Sequence, residues 1–257
     1  MDKYNIGFTK SGLTKFAVLL TSLIFVSCGG GYEKSPVDTL IRDLDQEKNF
    51  TIILYDMDVE GGWPDTYKHK YKIIKEKEDG TPYEELTEWY EVSENTFSFY
   101  ENDMGMEIAS KVDGKVTKET SPPGYSRYVG NDQYGRWRTD NSGNSFWAFY
   151  GQYAFMSSMI GLVAGPVYRT GYYDYYNNYR GRRPYYGTST NGRYRYGTLS
   201  DASRKQNPAF HRRSTTNSAL RSRVNNNISR SSGGRTSRSS SRYGGSSRSR
   251  SSSRGGK

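Results

Sequence analysis

Alternation between apolar and polar positions dominates the first half of the chain. FTIILYDMDV (residues 50–59), TYKHKYKIIKEK (66–77), YEELTEWYEV (83–92), TFSFYEN (96–102) and GMEIASKV (105–112) each read as a strand, because successive strand side chains point to opposite faces. In the second, Tyr67, His69, Tyr71 and Ile73 fall on one face and Lys68, Lys70 and Lys72 on the other. Near the last, Met104, Met106 and Ile108 are expected to share a face. Gly61-Gly62, EDGTP and SEN separate the earlier strands, and Asp113-Gly114 suits a type I′ hairpin turn. Ahead of the strands, SPVDTLIRDLD predicts a short helix, with Ser35 as N-cap, Pro36 at the first helical position and Asp38 in the first turn. Residues 35–120 therefore predict a small α+β domain, an antiparallel β-meander of five or six strands with an N-terminal helix. At that size its core is modest.

The pattern then changes twice. Residues 121–145 are rich in Pro, Gly and Asn with recurring aromatic residues, and read as a linker. Residues 146–167, FWAFYGQYAFMSSMIGLVAGPV, carry no charge and predict one apolar helix. A helix over 146–165 would be about 30 Å long, the thickness of a bilayer's hydrocarbon core. Gly151, Ala154, Ser158, Gly161 and Gly165 would form a small-residue stripe along it, of the kind that lets helix backbones approach closely. Three readings stay open: a transmembrane span, a helix packed on the β domain or on a partner or second copy, and an interfacial segment.

Residues 168–257 have another composition. Ten tyrosines lie in 168–200, and from 212 onwards Ser, Arg, Gly and Asn dominate. Low apolar content with high charge argues for a low-complexity tail, disordered from residue 200 onwards. The charge splits at the same place: residues 1–167 sum to −8 and residues 168–257 to +18. An acidic body thus carries a basic tail. Arginines interleaved with tyrosines at Arg180, Arg182, Arg183, Arg193 and Arg195 are the candidate polyanion-binding residues. Lipopolysaccharide phosphates, acidic polysaccharide or nucleic acid would all be attracted, with salt dependence and little specificity.

The N-terminus sets the compartment. Lys3, Lys10 and Lys15 precede an apolar run at residues 16–26, interrupted only by Thr21 and Ser22, and then Ser27 and Cys28. A positive segment, a short apolar segment and a small-residue site make a secretory signal. The run is too short for an ordinary span. Phe25-Val26-Ser27-Cys28 resembles the lipobox of bacterial lipoproteins, with Phe25 in place of the usual Leu. The resemblance implies cleavage after residue 27 and acylation of Cys28, the only cysteine of the chain. Several acyl chains give lasting attachment where one is marginal. A single Cys also excludes a disulfide framework and a Cys-based metal site. Gly29, Gly30 and Gly31 would serve as a flexible tether, residues 28–34 in all. Gly rather than Asp follows the cysteine, which by the same resemblance favours the outer membrane, with the inner membrane possible. Residues 122–168, with YVGN, YGRW and SFWAFYGQYAF, resemble the aromatic segments of bacterial envelope lipoproteins, a likeness that implies no activity.

Catalytic chemistry is sparse. DMDVEGG places Asp56, Asp58 and Glu60 like the start of a calcium loop, but Tyr67 stands where the bidentate Glu is needed. The two histidines, His69 and His211, do not sit at metal-ligand spacing. Glu84, Glu85, Glu88 and Glu91 read as a solvated strand face rather than a glycosidase pair. No enzyme, cofactor or metal is expected. The expected function is a lipid-anchored cell-envelope protein with a non-enzymatic interaction or structural role and a polyanion-binding tail. The alternative is an inner-membrane lipoprotein whose single transmembrane helix puts the basic tail in the cytoplasm, on nucleic acid or anionic lipid.

Overall fold

The computed structural model describes residues 35–160, 165–187 and 194–231, with side chains as far as residue 224. Cys28, Gly161 and Arg193 lie outside the described residues. Helix α1, Pro36–Asp43, leads into β1, Phe50–Glu60, β2, Thr66–Glu76, and β3, Pro82–Val92. Helix α2 is Glu94–Tyr100, followed by β4, Glu107–Val112, and β5, Lys115–Thr117. These strands form one antiparallel sheet in the order β3-β2-β1-β4-β5. The α+β class and the meander agree with the sequence. So does the β4–β5 turn, where Asp113 and Gly114 adopt φ of 48° and 80°, as a type I′ turn requires. Ser35 does not act as the expected cap: its Oγ makes no hydrogen bond among the described residues.

Two further expectations in this region are corrected. TFSFYEN is not a strand, because Ser93 caps a helix: its Oγ accepts from the Thr96 amide at 3.2 Å, satisfying a donor that a helix start leaves free. Met104, Met106 and Ile108 do not share a face. Gly105, at φ 81°, turns the chain between Met104 and Met106, and a bulge in the β1–β4 pairing makes Ile108 an extra residue, so Met104 and Ile108 enter one core and Met106 the other.

Both faces of the sheet are covered. β1 pairs with β2 through a register shift in which Tyr55 is the extra residue. Phe50, Ile52 and Leu54 face the first core before this bulge, and Met57 and Val59 face it afterwards. Strict alternation would send the latter two to the opposite side. The first core also holds Val37, Leu40, Phe97, Phe210, Leu220 and Val224. The second core lies on Ile53, Ile74 and Met106 and is built largely from aromatic rings. Its elements are β6, Gly135–Thr139, β7, Ser145–Phe149, a 3₁₀ turn at Gly151–Tyr153, α3, Met156–Met159, and α4, Arg169–Asp174. A π-helical turn, Tyr175–Tyr179, continues α4.

Residues 146–167 are therefore not one apolar helix. Phe146, Trp147 and Phe149 lie on β7, which pairs with β6 and sets Trp147 opposite Trp137. The rings meet edge to face, with centroids 5.2 Å apart. Aromatic residues favour a pleated, half-buried surface, and this one packs at a gain of about 0.5–1.5 kcal/mol per ring pair beyond burial. Gly151, Ala154 and Ser158 are exposed, and Gly165 has φ 122°, so these four do not line up along one helix. Among the described residues, no helix is long and apolar enough to cross a membrane.

The C-terminal region is also corrected. Helices α5, Asp201–Gln206, α6, Pro208–Thr216, and α7, Ser218–Ser231, occupy part of the segment expected to be disordered. They dock where β1 is otherwise open. β4 pairs only with Phe50–Ile53 of β1, and beyond it side chains act as the next strand. Asn207 Nδ2 donates to Tyr55 O at 3.2 Å, Arg213 Nη2 reaches Met57 O at 3.4 Å, and Asn217 Nδ2 donates to Val59 O at 2.7 Å. Every second carbonyl of the edge is thus met. Each asparagine also caps a helix: Asn207 Oδ1 accepts from Phe210 N, and Asn217 Oδ1 from Ala219 N and Leu220 N. An exposed strand edge invites foreign pairing; here it is covered.

Candidate polyanion-binding surface

The aromatic layer presents its arginines because of how its tyrosines face. Along α4 and the π-helical turn, Tyr172, Tyr175 and Tyr179 sit at spacings of three and four and pack inward, with Tyr175 buried. Their neighbours Tyr173 and Tyr176 point out, 42% and 48% exposed. The π-helical turn adds a residue per turn relative to an α-helix, and the register of these rings follows it. Gly130 gives the layer room: at φ 80°, a Cβ there would lie 2.7 Å from the Tyr172 hydroxyl oxygen. Tyr125 O–H and Tyr196 O–H share a hydrogen bond at 3.1 Å deeper in the layer.

On the outer side three arginines lie over rings. Arg180 sits 4.8 Å from the centroid of Tyr176, and Arg183 4.3 Å from that of Tyr179. Arg169 lies 5.3 Å from Tyr173 and 5.9 Å from Trp137, and its Nη2 donates to the Tyr173 hydroxyl at 3.2 Å. Arg182 Nη1 reaches the Asn177 carbonyl at 3.4 Å. Arg169, Arg180, Arg182 and Arg183 are all exposed. A guanidinium resting on a ring keeps its N–H edge free and loses less freedom on binding an oxyanion. Asp174 is the one acid of this stretch, and it accepts from Asn178 Nδ2 at 2.9 Å.

Arg195 is placed differently. It is half-buried, and its Nη2 donates to the carbonyls of Gly165 at 2.7 Å and Pro166 at 2.6 Å. It braces the layer from inside. Arg169 was not singled out from sequence, although its position one turn before Tyr173 could have marked it. A second set of exposed cations, Arg204, Lys205, Arg212 and Arg221, lies on α5–α7.

Other titratable groups are structural. Glu76 joins the layer to the sheet, accepting from Arg127 Nη2 at 2.8 Å, the Tyr134 hydroxyl at 2.7 Å and Asn49 Nδ2 at 3.0 Å. Burial alone would raise its pKa, but these donors and the Arg127 charge outweigh burial and lower it. Glu107 is pushed up to about 7 by burial, although Ser121 Oγ and the amides of Gly124 and Ser126 donate to it. His69 packs among Phe97, Tyr71 and Tyr100 in the first core, and burial lowers it to about 3. Asp56 and Asp58, the start of the calcium-like stretch, meet Arg213 at 2.6 and 3.2 Å. Among the described residues, no group of three or more His, Cys, Asp or Glu side chains could hold a metal ion. Compared with protein-family models, with curated proteins and with solved structures, the chain matches none.

Proposed function

We propose that this is a lipid-anchored cell-envelope protein with a non-enzymatic interaction or structural role, which binds an anionic polymer on its Arg–Tyr surface. The observation that carries the reading is the row of exposed arginines, Arg169, Arg180 and Arg183, laid on Tyr173, Tyr176 and Tyr179; Tyr179 packs on the second core, and the other two rings lie against Tyr172, which does. Cys28 supplies the membrane attachment and the outer membrane is the favoured location. The polymer's class follows from compartment: lipopolysaccharide or acidic polysaccharide is what an exported cationic surface meets.

Retention of the full chain on immobilised polygalacturonate across a salt gradient tests the binding. Replacing Arg180, Arg182 and Arg183 by Gln lowers the salt needed for elution, and the log–log salt slope falls by about 1 for each of these arginines that meets the polymer. No retention of the wild-type chain at low salt overturns the reading. The attachment is tested separately: Cys28→Ser moves the protein out of the membrane fraction, and the mature N-terminal peptide of the wild type carries acyl mass on Cys28.

A further inference from the structure

The hairpin joining β1 and β2 ends in Glu60-Gly61-Gly62-Trp63-Pro64-Asp65, and Trp63 is fully exposed, at 101%. No other large apolar side chain among those described is left so bare; the next, Phe99, is at 69%. Trp89 keeps partial cover, beneath Lys70 and Arg213 at 5.9 and 5.8 Å. A whole indole held in water on a projecting turn is the informative kind of exposure, since large apolar groups are otherwise covered. Tryptophan is also the residue most suited to a membrane–water interface, where its ring is buried and its N–H stays wet.

The surroundings favour the same partner. Gly61 lies against the first turn of α7: a Cβ there would sit 3.7 Å from the Ala219 methyl. That turn is tied to the hairpin by Asn217 Nδ2 on Val59 O, and it carries the exposed Arg221. The acids near the tip are engaged within the chain. Glu60 pairs with Lys68 at 2.5 Å, Asp65 Oδ1 accepts from Gly62 N at 3.2 Å, and Glu94 pairs with Arg223 at 2.6 Å. A bare indole on a turn that packs against the helix turn carrying an exposed cation, with Glu60 and Glu94 paired to Lys68 and Arg223, suits an interface of acyl chains beneath anionic headgroups.

We propose that this hairpin tip is a membrane-contact point, in which Trp63 enters the interfacial zone of a bilayer and Arg221 meets anionic headgroups. The proposal rests on the membrane location proposed above. A tethered chain needs little intrinsic affinity for such a contact, because the tether sets a high effective concentration. The contact would fix how the protein sits on the surface that holds it.

The test is fluorescence of the full chain in vesicles of phosphatidylglycerol and brominated phosphatidylcholine, with Trp63→Phe as the paired variant. Trp89, Trp137 and Trp147 supply the common background. The expected result is that bromine removes most of the emission difference between wild type and Trp63→Phe, and that the Trp63 contribution shifts to the blue. Arg221→Gln reduces both effects in anionic vesicles and not in neutral ones. A Trp63 contribution unaffected by bromine overturns the proposal and leaves the tip for a protein partner. Mass spectrometry of Cys28 on the same samples separates this failure from failure of the anchor. If Cys28 carries no lipid, its thiol is coupled to a maleimide-headgroup lipid in the same vesicles, which restores the tether before the Trp63 emission is read.

Discussion

One amide side chain at position 217 serves both as a helix cap and as a strand partner. Asn217 Oδ1 satisfies the first free amides of α7, and its Nδ2 meets Val59 O on the open edge of β1. Loss of a cap costs about 1 kcal/mol, and a buried carbonyl left without a partner costs about 1–3 kcal/mol. Asn217→Ala is thus expected to lower stability by about 2–4 kcal/mol. Asn217→Ser retains a capping oxygen, loses the amide donor to Val59, and falls between; urea denaturation midpoints of the three proteins check the order. His69 offers a test of the same scale through pH. Its folded pKa, about 3, lies below its ordinary value of 6.5. The stability it contributes is therefore complete above pH 6.5 and is lost as pH falls towards 3. Each pH unit in that window is worth about 1.4 kcal/mol, so the wild type loses roughly 3 kcal/mol from this site between about pH 6.5 and 4. His69→Phe keeps a ring against Phe97 and flattens that part of the profile. It leaves the share of His211, which burial lowers to about 4.

At the scale of elements, the sheet was legible in the sequence and its covering layers were not. The pattern located β1, β2, β3 and β4, and the face shared by Tyr67, His69, Tyr71 and Ile73, because the period of two is local. What failed depends on distant partners. Phe146, Trp147 and Phe149 read equally well as the start of a helix, and β6, Gly135–Thr139, decides the matter by pairing with them. The C-terminal helices failed for another reason. Their apolar content is low on average, yet Phe210, Leu220 and Val224 are buried in the first core, and helices in proteins are stabilised mainly by such contacts. The signal was present at single positions: Asn207-Pro-Ala-Phe210 and Asn217-Ser-Ala-Leu220 place a cap three residues before a buried side chain, ten residues apart. Inward and outward tyrosines on α4 were likewise legible as spacings of three and four. A chain ending at residue 206 tests the corrected picture. Losing Phe210 alone is worth about 3–5 kcal/mol, and the edge of β1 is left bare. Such a chain is expected to unfold at markedly lower temperature or to aggregate; a disordered tail could be removed with no change in Tm.

At the scale of the whole molecule, the basic excess of the C-terminal half divides into two groups of side chains. Part of the basic excess fastens the C-terminal region to the acidic body: Arg213 meets Asp56 and Asp58, and Arg223 meets Glu94 and the Tyr67 hydroxyl. Arg195 holds backbone carbonyls of the aromatic layer. The rest faces solvent, at Arg169, Arg180 and Arg183 over the tyrosines, at Arg182 beside them, and at Arg204, Lys205, Arg212 and Arg221 on the helices. These two groups of arginines should separate cleanly under substitution. Arg213→Gln leaves Asp56, which is buried, without its ion pair; breaking a buried pair costs about 3–5 kcal/mol, and since Arg213 is itself only partly buried the loss should fall at or below the lower end of that range. It should change retention on an anionic polymer little while the chain remains folded. Arg180→Gln and Arg183→Gln together should do the reverse, because an exposed guanidinium over a ring contributes only about 0.5–1 kcal/mol to the fold while binding through it is lost. Raising salt should abolish the binding difference and leave the stability difference largely in place, since exposed charges are screened over about 10 Å at roughly 0.1 M and partly buried pairs much less. If Arg213→Gln and the Arg180, Arg183 double variant instead weaken retention in proportion to their loss of Tm, the arginines over the tyrosines are structural and the polymer-binding reading fails.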